Sequence, residues 1–581
     1  MDEVPKVPWA LTPEALAKVQ QPVPEPPEPA RDDEPREAVV DLRRTTWTDL
    51  GIAGALAFVA ILSVLLTYRG IGYSWDEAFY KAPAQMTVEW LGDFLTDRGS
   101  AVSSANIIEH WAGSEDPATH RPIGIIELPS VVKWAMGLSW TATRDLFREP
   151  WDDLRALRLP AALAFGLSVF LIYLLTLNSY RRRAAVIAAI ALMTMPRVFG
   201  HAHIAATETI TNATILLAIY CYFRGLNSAW WAVAFGVAYG IALDTKINAI
   251  LLAPVLLIWG HAFHRRSYVN NFFAMVFVAP VVWIGLWPWL WRDTFVRLLE
   301  YFYFFSRHQQ TAVWYLGQQY GYGGPPAPWH YPIVMTLVTV PLPILVLSLF
   351  GLARTAVHCR WEYRGILFTA YATVVLIYAS LPGSPKYDGT RLFFSLFPML
   401  AVLTGGGADS LVSIFPFDRK IRGALSVRHV VAAVFLLTVA GNGLWGITRV
   451  HPHELSYFNI LTAGLQGARD RFETSYWGEG LNEEVIDYLN QLPRGAHVKP
   501  LAMQDLVFPH LQEWGILRDD LVFGGPPPYD YWLLHMRRGF FGPTERYLFE
   551  REPEKMFAFR GVPFFCIYSK KEAGEVAKTK G

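Results

Sequence analysis

The 19-residue stretch from Leu50 to Tyr68, LGIAGALAFVAILSVLLTY, contains no Asp, Glu, Lys or Arg. A run of about 18 or more uncharged, mostly apolar residues is long enough to cross the hydrocarbon core of a bilayer as a helix. What precedes it is unlike a secretory leader. Nine of the 39 prolines lie in the first 40 residues, and residues 22–35 read PVPEPPEPARDDEP. Proline interleaved with acid cannot bury enough apolar surface to fold, so residues 1–47 are expected to be a disordered cytoplasmic tail. The tail is too acidic for the basic start of a cleaved signal, and segment 50–68 is therefore expected to remain as an anchor.

The same test applied along the chain predicts further spans near 157–177, 184–200, 207–223, 230–244, 247–263, 270–290, 331–353, 365–382, 391–407 and 428–447, about eleven with the first. Composition agrees: 52% of the 581 residues are apolar and 17% charged, against about 25% charged in soluble domains. This excludes a soluble enzyme and, for most of the length, disorder. A formal net charge of +1 supplies no field for nucleic acid, and none is expected as a partner. Cys221, Cys359 and Cys566 are far apart and form no zinc-site spacing, so neither a disulfide framework nor a cysteine metal site is expected.

Basic residues fall at alternate span ends: Arg43 and Arg44, Arg181 to Arg183, Arg224, Arg265 and Arg266, Arg354, Arg360 and Arg364, and Arg419, Lys420, Arg422 and Arg428. Basic short loops mark the cytoplasmic side, which puts the N-terminus inside and, with an odd span count, the C-terminal part outside. The expected fold is an α-helical polytopic membrane protein, with a transmembrane module over 48–447 that exposes loops 69–156 and 291–330. Residues 448–581 change character. NEEVIDYLNQLPRG (482–495) reads as a soluble helix and turn, and YDYWLLHM (529–536) and VPFFCIYS (562–569) read as buried strands. This piece is expected to be a small external α/β domain.

Chemistry-bearing residues cluster on the predicted outer face. Asp76 and Glu77, in Tyr73-Ser74-Trp75-Asp76-Glu77, sit just past the first span, placed either to bind a polar substrate at the bilayer surface or to serve a solvated helix start capped by Ser74. Ala82, Met86, Trp90 and Phe94 follow at four-residue spacing, which suits an interfacial helix beginning near Pro83, since proline fits only a first turn. His120 and Arg121 could hold a phosphate or sugar hydroxyl, or cap a loop, with Glu127, Pro129 and Lys133 beyond them. The second loop carries 12 aromatics between Trp291 and Trp329, mostly belt residues, with Arg307-His308-Gln309 as its polar element and His308 as a substrate-binding candidate. Near span ends, MPRVFGHAHIAATET (195–209) contains His201, His203 and Glu208, and LDTKINA (243–249) contains Asp244 and Lys246. The bland pairing is Asp244 with Lys246 or Arg197; the functional one is an acidic and basic cavity lining. Two histidines two residues apart cannot share a helical face, so no metal site is assigned. Lys386-Tyr387-Asp388-Gly389-Thr390-Arg391 is either a charged turn or an anion site before a helix.

This order of features resembles the C-type integral-membrane glycosyltransferases. SWDEAFY (74–80) resembles the Asp-Glu motif of the protein O-mannosyltransferase and lipid A aminoarabinose transferase group, and His120-Arg121-Pro122 is similar to its His-Pro-Pro segment with Arg in the middle. HPHELSYFN (451–459), with Tyr476-Trp477-Gly478 downstream, resembles a segment of bacterial members, and position 208 has Glu where relatives often have Asp. The likeness spans about 48–480. It implies a bacterial inner-membrane enzyme moving a hexosyl or pentosyl unit from a polyprenyl-phosphate donor to a hydroxyl on a lipid, glycan or protein acceptor. Asp76 would be the general base, Glu77 its orienting partner or a sugar ligand, and Lys386, Arg391 and Lys246 the cations facing the leaving phosphate. No cofactor is assigned, and a divalent ion is left open. The competing classes are a transporter or lipid flippase, for which no two-fold internal repeat is visible, and a membrane scaffold.

Overall fold

A computed structural model describes residues 45–574, apart from position 69 and the stretches 116–121, 125–129, 145–151, 307–310, 322–323, 358–362, 415–419 and 423–424. His120, Arg121, His308 and nearly all of the proline-rich tail lie outside the described residues.

The fold is mostly helical. The first helix, Trp47–Thr67, starts with a capping box in which Thr46 and Asp49 satisfy each other's free backbone donors. Asp49 also accepts from Arg182 Nε at 2.7 Å and from the Tyr173 hydroxyl at 3.2 Å, which ties this helix to Asp152–Ser179 and to Arg182–Met193. Among the described residues, five helices are long and apolar enough to cross a membrane: Trp47–Thr67, Leu154–Ser179, Val269–Leu286, Leu396–Ile414 and Val427–Val450. Leu154–Ser179 and Leu396–Ile414 are largely buried by neighbouring helices, whereas the other three turn most of their apolar surface outward, as lipid-facing helices do. Shorter apolar helices, among them Ala229–Thr245 and Leu342–Val357, complete the bundle.

Several expected spans are interrupted, each for a local reason. The segment expected at 184–200 stops at Met193 and restarts as Pro196–His201, with Pro196 at the first helical position, where its missing N–H matters least. The segment at 331–353 is two helices, Tyr331–Thr339 and Leu342–Val357, separated at Pro341. The one expected from 391 begins only at Leu396, because residues 391–393 form a single 3₁₀ turn. The helix expected from Pro83 begins at Trp75 and runs to Thr96 with Pro83 inside it. Part of its stripe is taken up inside the protein: Trp90 is buried against Phe94, Trp111, Trp134 and Trp291 at 5.1–6.0 Å, while Ala82 stays exposed. The two loop regions thus meet over one cluster of indoles.

The C-terminal part carries the sheet that the sequence announced. Its five strands run in the order Lys555–Phe559, Val562–Ser569, Tyr531–His535, His497–Leu501, Val522–Phe523. The first three pair antiparallel, and His497–Leu501 is parallel to both of its neighbours. The parallel step to Val522–Phe523 is bridged by the helix Val507–Glu513, as a crossover requires. This sheet belongs to the same compact unit as the helices, Val40–Gly581. Backbone bonds join the two: Tyr73 N–H donates to Leu481 O at 3.2 Å and Trp75 N–H to Trp477 O at 3.0 Å. Gly72 permits the approach, since a Cβ there would lie 2.5 Å from Glu479 O.

Helix Leu396–Ile414 crosses its neighbours through Gly405, Gly406 and Gly407. A Cβ on Gly407 would come 1.9 Å from Leu347 O, and one on Gly405 would come 2.4 Å from Ala184 O. Overpacking such a contact costs about 1–3 kcal/mol. Gly407→Val is accordingly expected to lower the thermal unfolding midpoint of the purified protein in detergent, and an unchanged midpoint would mean the two helices separate freely.

Candidate active site

The geometry starts at the Trp75–Thr96 helix. Ser74 caps it, and its backbone N–H and hydroxyl both donate to Glu77 Oε2, at 3.0 and 3.1 Å. The adjacent carboxylates then point to different places. Glu77 is fully buried and accepts from Arg158 Nε at 2.7 Å, from Arg158 Nη2 at 2.9 Å and from Ala205 N–H at 2.8 Å. With these partners it orients no part of Asp76 and does not border the cavity. Its work is to lock the helix start against Asp152–Ser179 and the 205 segment.

Asp76 instead faces a cavity of about 370 Å³. Its Oδ2 is ion-paired with Arg391 Nη2 and accepts from the Tyr80 hydroxyl at 3.3 Å, one helical turn on. Arg391 bonds two more carboxylates, donating from Nε to Glu208 Oε1 at 3.0 Å and from Nη1 to Asp388 Oδ2 at 3.1 Å. Its guanidinium lies over the Trp477 ring at 4.6 Å. Lys246 Nζ shares the same Glu208 oxygen at 2.6 Å and reaches Thr207 Oγ1 at 3.2 Å. Glu208 thus holds two cations side by side at the cavity wall, at the start of helix Thr207–Gly225 and the end of Ala229–Thr245.

Burial pushes the Asp76 carboxyl up to about 6, against the lowering influence of Arg391 and with the negative charges of Asp388 and Glu208 adding to the rise. A carboxylate tuned toward neutrality and opening into a cleft is suited to exchange protons near physiological pH. Part of the remaining wall is apolar and aromatic, formed by Phe79, Phe304, Phe305, Tyr378 and Leu392, and Asn248, Thr311 and Ser384 make another part of it polar. The C-terminal part adds Gln504, Arg537 and Phe540.

Of the residues singled out in the sequence, the structure brings Asp76, Lys246 and Arg391 together and sets Glu77, Lys386, Asp244, His201 and His203 apart. Lys386 is buried, and its Nζ donates to Leu381 O at 2.6 Å and Ser384 O at 3.0 Å; it staples the turn and does not border the cavity. Asp244 pairs with neither Lys246 nor Arg197, and both of its carboxylate oxygens are buried. His201 is packed between Phe394 and Trp477. His203 meets Thr67 Oγ1 at 3.0 Å. Among the described residues no group of three His, Cys, Asp or Glu side chains is arranged around a metal position. Sequence reading passed over Tyr80, Arg158 and Arg537. The last had one signal, a double arginine directly after the buried strand YWLLHM.

Residues 130–291 match the model of the family described as dolichyl-phosphate-mannose-protein mannosyltransferase. The matched stretch includes Glu208 and Lys246 and begins after SWDEAFY. The protein is similar to the C-type membrane glycosyltransferases of the O-mannosyltransferase group. No curated protein sequence matches the chain. Among solved structures, it is similar to ArnT from Cupriavidus metallidurans bound to undecaprenyl phosphate, at 15% identity over 91% of this chain and 98% of that one, with a TM-score of 0.44. The archaeal oligosaccharyltransferase AglB from Archaeoglobus fulgidus, in complex with an inhibitory peptide and a dolichol-phosphate, has 13% identity over 84% of this chain and 69% of that one, with a TM-score of 0.45. The protein O-mannosyltransferase Pmt1-Pmt2 complex of S. cerevisiae bound to the sugar donor has 14% identity over 47% and 39%, with a TM-score of 0.30.

The two neighbouring carboxylates should separate by experiment. Removing one member of a buried ion pair costs about 3–5 kcal/mol, so Glu77→Ala is expected to depress the unfolding midpoint strongly. Asp76→Asn, which leaves Arg391 two other carboxylates, is expected to change it little. Equal midpoints for the two variants would contradict this division of roles.

Proposed function

We propose that the protein is a glycosyltransferase that moves a sugar from a polyprenyl-phosphate donor to a hydroxyl of a lipid, glycan or protein acceptor, with Asp76 as general base. The observation that carries this reading is the placement of Asp76 beside Arg391 and Lys246 in one cavity that also has an apolar, aromatic stretch of wall. An acceptor hydroxyl is a poor nucleophile, and a carboxylate within hydrogen-bond reach takes its proton as the new C–O bond forms. The bond from the anomeric carbon to the phosphate oxygen breaks at the same time, and its electron pair leaves with the phosphate. A lipid phosphate is a stable anion and needs no acid; it gains from fixed positive charge aimed at the developing charge, which Arg391 and Lys246 supply. The apolar wall suits the polyprenyl chain. A single displacement from the back side inverts the anomeric centre.

The family description names a polyprenyl-phosphate sugar, dolichyl-phosphate-mannose, which supports the donor class. We place the reaction at the external face of a bacterial inner membrane, in a bundle of about eleven spans with the N-terminus inside and the C-terminal sheet outside. The basic clusters at alternate span ends support that orientation.

The test is transfer of labelled sugar from a panel of polyprenyl-phosphate sugars into membrane extract, comparing wild type with Asp76→Asn at matched folded protein. Transfer that disappears in Asp76→Asn is the expected result. Activity that survives the substitution would remove Asp76 as the base, and no transfer from any donor would favour a carrier of lipid or solute. The pH profile gives an independent check. With the Asp76 carboxyl at about 6, the base is ionised above that pH and protonated below it. kcat/KM is expected to be level at neutral pH and to fall about tenfold per unit below pH 6, and a flat acid limb would rule out this base.

A further inference from the structure

The C-terminal part does more than cover the cavity. Arg537, just past strand Tyr531–His535, is 1% exposed, with its Nε 3.8 Å from Glu473 Oε1 and its two other nitrogens hydrogen-bonded. It lies beside both the Trp75 and Phe540 rings, its central carbon 4.8 Å from the centre of the first and 3.8 Å from that of the second. Nη1 donates to Tyr476 O at 2.6 Å, and Nη2 donates to Asp388 Oδ1 at 2.7 Å. The other oxygen of Asp388 accepts from Arg391 Nη1. One carboxylate therefore bridges two guanidiniums, and one of these is held rigidly by the C-terminal part.

The turn that carries Asp388 needs this support. Asp388 and Gly389 are both left-handed, at φ 52° and 64°, an uncommon state for a residue with a Cβ. A Cβ on Gly389 would approach Arg197 Nη1 to 2.5 Å. Charge alternates along the buried line: Arg537, Asp388, Arg391, then Asp76 and Glu208, then Lys246. Each member is held by opposite charge on its neighbours, so that in a low-dielectric site the position of one bears on the position of the next.

We propose that Arg537 is a positioning residue that acts through Asp388 to hold Arg391 against Asp76 and Glu208, so that the C-terminal part completes the active site. In its kinetic arm this rests on the transferase reading above; in its structural arm it does not. Arg537→Gln removes the charge and keeps a polar side chain. In the transfer assay it is expected to lose about 10- to 100-fold in kcat/KM, the scale of a displaced positioning group. The double variant Arg537→Gln/Arg391→Gln is expected to fall no lower than Arg391→Gln alone, because the first residue acts only through the second. Additive losses would mean that Arg537 meets the substrate directly and would overturn the proposal.

The structural arm is a structure of Arg537→Gln determined by electron cryo-microscopy. The Arg391 guanidinium is expected to leave Asp76 in this variant; finding it in place overturns the proposal, whether or not the wild type transfers any sugar. A merely structural Arg537 would reduce folded yield while leaving Arg391 where it is. If Arg537→Gln does not fold, Arg537→Lys serves, since it keeps a buried cation opposite Asp388 but cannot also reach Tyr476 O. It is expected to show a smaller displacement of Arg391, and an undisplaced Arg391 in that variant again overturns the proposal.

Discussion

One guanidinium sets the terms for everything around the cavity. Arg391 bonds Asp76, Glu208 and Asp388, three carboxylates from three distant parts of the chain, and lies over the Trp477 ring. A buried carboxylate is expensive unless it is paired, and so is a buried arginine. Arginine can serve three acids because its donors form a flat fork pointing in different directions. A lysine at 391 would offer one point of charge and would leave two acids competing for it. The arrangement makes the helix starts at 75 and 207 and the turn at 388 mutually dependent: none can move without exposing a charge that the others neutralise.

The sequence was most legible where a single physical pattern governs a whole segment. VPFFCIYS was expected as a strand and forms one over the same eight residues, Val562–Ser569, because a buried sheet leaves such a run no other use. NEEVIDYLNQLPRG gives the helix Glu483–Gln491 with Asn482 as its cap, and the uncharged run before Tyr68 gives the helix Trp47–Thr67. Legibility failed where proline has two meanings. Pro83 reads as a helix start but lies inside one, since packing around Trp90 outweighs a missing backbone bond. Pro196 and Pro341 divide segments whose hydropathy is continuous.

For the site, charge at the membrane boundary was enough to pick out Asp76, Lys246 and Arg391, but not to tell a cavity residue from a staple. Glu77 and Lys386 are adjacent in sequence to residues that face the cavity, yet helical geometry turns Glu77 toward Arg158 and the turn folds Lys386 back on two carbonyls. Spacing cannot reveal a partner 81 residues away, as Arg158 is from Glu77. Arg537 is further out of reach, because its role depends on a contact between segments that no local pattern connects.

The backbone bonds from Tyr73 and Trp75 to Leu481 and Trp477 also bear on when, during its manufacture, the protein can work. The carboxylate at 76 leaves the ribosome early, but the segment that fixes the start of its helix is made roughly 400 residues later. At about 5–20 residues per second, the first helix and the loop beyond it wait tens of seconds, already in the membrane, for the peptide groups that align them. Through that interval the unfinished chain holds its acid near the bilayer surface without the geometry to use it. The start of the helix at 75 is thus aligned only once the segment around 477–481 has been made and docked.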